Sequence, residues 1–232
     1  METMRQDMAG GATVLGTLDA VCTLHLPLNI VAVLAAAENG VGPHAYRPGE
    51  IITSHSGKTV EIKHTDAEGR LVLADAISYT IKHYDPKAII DVATLTGAAL
   101  VALGTHVIPV ISNDTALSAT LFDAGQRTYE RVWMLPLYDE YKDEIKSDIA
   151  DIKNLGDGRN AGTIAGAAFL HTFVGSTPWA HLDIAGVAFY DKARGYLPQG
   201  ASGVGVRLLV DALSSWDGGV VERKGDKKVL QH

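Results

Sequence analysis

The sequence predicts an α/β fold, and three observations carry that prediction. Apolar runs of strand length recur at residues 28–36, 88–93 and 107–111. Stretches with helical spacing lie between them, and 24 glycines punctuate the 232 residues instead of gathering in a linker. With 47% hydrophobic residues the chain can bury a core, and its length suits one or two domains. No internal repeat or domain boundary interrupts it.

From the N-terminus, Met1 to Gly10 carries few structural signals, and Val14, Leu15, Leu18, Val21 and Cys22 then recur at helical spacing over Ala12 to Leu24. Asp7 stands just ahead of that helix, where an aspartate serves as a cap or dipole partner. Leu28 to Ala36 is almost continuously apolar, which predicts a strand covered on both faces, as in α/β sheets. A turn at Arg47-Pro48-Gly49-Glu50 precedes a hairpin in which Ile51–Ser54 pairs with Thr59–Lys63 across Ser56-Gly57-Lys58.

In the second hairpin strand Val60 and Ile62 face one way, Glu61 and Lys63 the other. From Leu71 the period changes, and Leu71, Ala74, Ile77, Ile81 and Tyr84 share one helix stripe. The turn between strand and helix holds Asp66, Glu68 and Arg70. Two carboxylates so close repel unless a cation compensates them, and a divalent metal does so through oxygen ligands. Arg70 adds a permanently charged fork at the helix start, so the turn offers a cation site beside an anion site. The plainer reading is a solvated helix N-terminus.

Asp85-Pro86 ends the helix, and Ala88–Ala93 reads as a buried strand running into Thr94-Leu95-Thr96-Gly97 and an apolar helix at Ala99–Leu103. Taken alone, that run is a strand-to-helix turn with a threonine cap. Ligands in open α/β sheets bind where strands give way to helices. Further along come a strand at Val107–Ile111, a helix at Leu117–Tyr129, a packing segment at Trp133–Leu137, and a glycine-rich loop from Asn154 to Gly162 without phosphate-loop spacing. A helix at Ile164–Phe173 precedes the run Trp179–Gly186, whose His181 and Asp183 read as a hydrogen-bonded structural pair. Gly203–Trp216 is the last helix, with Val204, Val206, Leu208, Leu209 and Leu213 inward.

Net charge −7 without a basic block argues against nucleic acid as partner. No apolar run is long enough to cross a bilayer, and no leader is evident at the N-terminus. The single cysteine, Cys22, cannot form an internal disulfide, so a cytoplasmic location is expected, with Cys22 a buried, inert thiol.

The run Thr65-Asp66-Ala67-Glu68-Gly69-Arg70-Leu71-Val72-Leu73-Ala74-Asp75 closely resembles the signature of the leucine aminopeptidase (cytosol aminopeptidase) family, peptidase family M17. Met4–Thr13 and Trp179–Gly186 resemble further runs of that family. The resemblance implies an aminopeptidase catalytic domain: a mixed, mainly parallel sheet flanked by helices on both faces. It implies that Asp7, Asp66 and Glu68 ligate two divalent ions, zinc or manganese, and that Arg70 holds a bicarbonate serving as proton shuttle. Thr94, Leu95 and Gly97 would line the substrate site, peptides would be the substrates, and the assembly would be a hexamer.

His64 departs from the signature, which has Asn there, and is expected to shape the turn by hydrogen bonding. The family's other ligands, a lysine and an aspartate, and its catalytic lysine precede the residue matching Met1. The expectation is therefore a partial catalytic domain over 1–218 and a charged tail at 219–232. Either a companion chain completes the site, or the chain is a catalytically incomplete homologue used for assembly or binding.

Overall fold

In the computed structural model, which describes residues 2–156, 158 and 160–216, helices and strands alternate much as their spacing predicts. The charged tail expected at 219–232 lies outside the described residues. A 3-10 turn at Met4–Met8 opens into α1 (Ala9–Thr23). The hairpin forms from β1 (Ile51–Thr53) and β2 (Thr59–Glu61), and α2 spans Gly69–Tyr84. Asp85 ends α2 in the left-handed region (φ 47°), and Pro86 cannot continue a helix.

Next come β3 (Ile89–Ala93), α3 (Gly97–Leu103), β4 (Ile108–Ser112), α4 (Thr115–Thr128) and β5 (Val132–Met134). Threonine and aspartate caps start the two helices: Thr96 accepts from Ala99 N at 3.2 Å and Asp114 from Leu117 N at 2.7 Å. The remainder holds α5 (Asp139–Asp143), β6 (Ile152–Lys153), α6 (Gly162–His171), β7 (Trp179–Asp183), the short β8 (Phe189–Tyr190) and β9 (Gly200–Ala201), and α7 (Val206–Ser214).

The main sheet runs β3-β7-β4-β5, with β3 and β7 parallel, β4 and β5 parallel, and β7 antiparallel to β4. It is therefore mixed and mainly parallel. On one face Trp179 packs with Leu71, Ile77 and Phe169 of α2 and α6; on the other Ala180 and Leu182 pack with Leu121 of α4 and Leu208 of α7. Helices thus cover both faces, and this is the α/β architecture expected. A smaller sheet, β1-β2-β6, pairs β2 in parallel with β6 and holds the acidic turn beside the main sheet.

Four expectations change. Residues 28–36 form no strand: every residue there is half-buried or exposed, and among the described residues no strand pairs with the segment. Helix α1 buries Gly10, Thr13 and Thr17 and, of its apolar stripe, Val21 alone, leaving Leu15 53% exposed. Gly10 explains that choice, because a Cβ there would lie 2.2 Å from Val92 O, so glycine lets the helix backbone press on β3. Cys22 is exposed, not buried, because it lies about 100° around the helix from Val21. Trp133 and Met134 of β5 are exposed at 57% and 47%, since β5 is an edge strand.

Candidate functional site

The acidic turn takes its shape from a buried amide. Val60 and Ile62 anchor β2 in the core, and β6 delivers Asn154, fully buried, beneath the turn. Asn154 Oδ1 accepts from Lys63 N (2.8 Å) and His64 N (3.3 Å), while its Nδ2 donates to His64 O (2.8 Å) and Ala67 O (3.2 Å). His64 Nδ1 accepts from Asp66 N at 3.1 Å, which gives the turn-shaping role expected of it. Asn154, the first residue of the glycine-rich loop expected at 154–162, is thus the clasp of the turn.

Arg70 follows at the start of α2, buried to 7% exposure, with Nη1 donating to Asn154 O at 3.0 Å. Burial pulls its guanidinium below the usual arginine value, while the carboxylates of Asp183 and Glu68 hold it up. Arginine remains cationic in such a setting, so a concealed positive charge sits behind the acids. Glu68 Oε1 accepts from Asn39 Nδ2 at 2.9 Å, and Asp66 is exposed.

Asp7 lies across the cavity on the 3-10 turn, where its Oδ1 accepts from Thr94 Oγ1 at 2.6 Å. The Thr94–Gly97 loop is set from below by Asp183: Leu95 N donates to Oδ1 (3.1 Å) and Thr96 Oγ1 to Oδ2 (2.7 Å). Burial pushes the Asp183 carboxyl up, against the lowering effects of His181 and Thr96. With Leu95 N so engaged, Leu95 can meet a ligand through its carbonyl or side chain.

All seven expected site residues, Asp7, Asp66, Glu68, Arg70, Thr94, Leu95 and Gly97, line one cavity of about 2430 Å³. They do not gather into a cage. Among the described residues, no three His, Cys, Asp or Glu side chains lie close enough together to hold a metal ion. Asp7 and Glu68 turn toward Thr94 and Asn39 instead.

His181 and Asp183 are structural, but they bond to other residues and not to each other. Register sets Asp91 of β3 opposite His181, and His181 Nδ1 meets Asp91 Oδ1 at 2.6 Å. Trp179 Nε1 donates to Asp91 Oδ2, also at 2.6 Å. Burial opposes charge on His181, yet the Asp91 carboxylate outweighs it and raises the imidazole. Asp91 was not singled out from sequence; an acid inside one apolar run and a histidine inside another is the signal that could have paired them.

The chain is an α/β/α domain of the open-sheet class, in which ligands bind where strands end, and here acids and a buried arginine line the cavity. Residues 1–210 match the cytosol aminopeptidase family, catalytic domain, and the chain belongs to that family. It is 55% identical over 217 residues to a probable cytosol aminopeptidase of Roseiflexus castenholzii, covering 93% of this chain and 44% of that protein. Similar relatives are the probable cytosol aminopeptidases of Geobacter sulfurreducens (55% over 215 residues; 93% and 43%) and Cenarchaeum symbiosum (52% over 216; 92% and 44%). The chain therefore spans less than half the length of these relatives. Among the described residues, no helix is long and apolar enough to cross a membrane.

Proposed function

We propose that this chain is part of the catalytic domain of a metal-dependent, leucyl-type aminopeptidase that releases N-terminal amino acids from peptides. The observation that carries the reading is the convergence of Asp7, Asp66, Glu68, Arg70 and the Thr94–Gly97 loop on one cavity in a member of this family. Carboxylate oxygens suit two divalent ions, zinc or manganese, and each of Asp7 and Glu68 has a second oxygen beyond the one bonded to Thr94 or Asn39. Asp7, Asp66 and Glu68 would hold part of the ligand set, the rest coming from groups outside this chain. Metal bound there would supply Lewis-acid polarisation and a more acidic water.

Arg70 would hold an anion, bicarbonate, beside the acids as a carrier for the proton, because its fork is desolvated and fixed by Asn154. Thr94 to Gly97 would orient the peptide, with the loop held rigid by Asp183. The family relationship also supports a cytoplasmic, hexameric assembly and a companion segment. A second reading, a non-catalytic assembly or binding subunit, is favoured by the unassembled carboxylates.

Hydrolysis of leucine p-nitroanilide by the purified chain with manganese or zinc, beside Glu68→Gln, separates the two. Metal-dependent turnover lost in the variant supports the aminopeptidase. Folded but inactive protein, both alone and with the remainder of a relative supplied, supports the second reading.

A further inference from the structure

Strand β3 uses one edge fully. Ile89 N donates to Pro178 O at 2.8 Å and Ala93 O accepts from Ile184 N at 2.8 Å, so Ile89, Asp91 and Ala93 serve β7. Alternate residues of a strand in a parallel ladder point to opposite edges, so the backbone groups of Ile90 and Val92 point away from β7. The Val92 carbonyl rests against Gly10 of α1, which leaves both backbone groups of Ile90 and the Val92 N–H for pairing. Among the described residues no strand pairs with this edge.

That edge faces the cavity of about 2430 Å³, well beyond the roughly 300–1,000 Å³ of small-molecule sites. Its walls come from two helix layers and one stretch of chain. Val14, Leu15 and Leu18 of α1 line one side, and Leu73, Ile77 and Ile81 of α2 line another. The segment at 30–36 lines the same cavity, and its residues 30–33 make no backbone–backbone hydrogen bond among the described residues. An open strand edge, a stretch of chain with free backbone groups at 30–33 and two apolar helix faces are surroundings that suit a strand inside a doubly covered sheet.

We propose that this gap receives an extended, largely apolar polypeptide segment from the part of the relatives' length that this chain does not span. The proposal rests on the family reading, because this chain covers 43–44% of the relatives and more than half of each has no counterpart here. The segment pairs with β3 at Ile90 and packs side chains alternately on α1 and α2, a case of strand addition. A second copy fits less well. Its own apolar stretch at 30–36 already forms a wall of its own gap.

The test mixes the isotope-labelled 232-residue chain with the portion of the Roseiflexus castenholzii relative outside the 217 matched residues, made as a separate polypeptide. Amide exchange at Ile90, Val92 and residues 30–33 is expected to slow at least about 100-fold on mixing. Ile90→Pro removes an N–H that β7 does not use, so it should fold and fail to bind. Leu15→Asp, at a 53% exposed position, serves as the second block should the proline variant not fold, and should weaken binding at least about tenfold.

No binding, binding without slowed exchange at those amides, or unchanged binding by folded variants would overturn the proposal. So would slowed exchange in the chain alone accompanied by dimerisation, which would make a second copy the occupant. Peptidase assay of the same complex keeps the two readings apart: a protected, inactive complex sinks the function alone, and an active complex without protection sinks the strand alone.

Discussion

Strand β7, with His181 and Asp183 among its five residues, and the far more apolar segment at 28–36 have opposite fates. All five residues of β7, Trp179 to Asp183, are buried, with β3 bonded on one edge and β4 on the other. Leu28 to Ala36 has Asn29 as its one polar residue, yet no residue in it is buried and Val31 is 50% exposed. Apolar composition records that a segment is meant to be covered. Whether it becomes a strand depends on a partner to take its backbone groups, which composition does not encode.

The contrast can be attacked at its strong end first. Trp179→Ala should cost about 3–5 kcal/mol in urea unfolding, by opening a cavity and removing the indole donor to Asp91. A loss under about 1 kcal/mol would mean that β7 is not the keystone. Next, Asp91→Asn should cost about 3 kcal/mol at pH 6, because it breaks a buried ion pair.

The pH dependence sharpens that result. Folding raises the His181 imidazole, so the Asp91 pair contributes fully below the unfolded value of about 6.5 and loses its contribution as pH rises through the folded value. Stability curves of the parent chain and Asp91→Asn, measured from pH 5 to 9, should converge toward the alkaline side. Parallel curves would show that His181 is neutral throughout.

Asn154→Ala comes third, at about 1–3 kcal/mol, with faster amide exchange at Lys63 and His64 as its acceptor leaves. Val31→Ala comes last. At a 50% exposed position it should cost under about 0.5 kcal/mol, and a loss above about 2 kcal/mol would show the segment already packed.

Helix ends and the hairpin were legible where their signals are local: Thr96 caps, Asp85-Pro86 stops, and Val60 alternates with Glu61. The seven expected site residues came from the family resemblance, and the fold brings them to one cavity. What escaped depends on register between distant segments. Asn154 clasps a turn some 90 residues upstream, and Asp91 finds His181 at a separation of 90, so neither neighbourhood announces its partner. The face buried by α1 escaped for a similar reason, since Gly10 meets Val92 O only after β3 is in place.

The sheet order has a consequence for how the chain assembles during synthesis. Strand β7 lies between β3 and β4, although β3 and β4 follow one another in sequence and β7 begins at residue 179. At about 5–20 residues per second, a ribosome needs roughly 4–17 s to pass from the end of β3 to the start of β7. Through that interval two apolar strands wait with their future shared neighbour unmade. Long-range pairing of this kind is slow and exposed to misassembly. A nascent chain halted before residue 179 should therefore depend on chaperones more than one halted after residue 190.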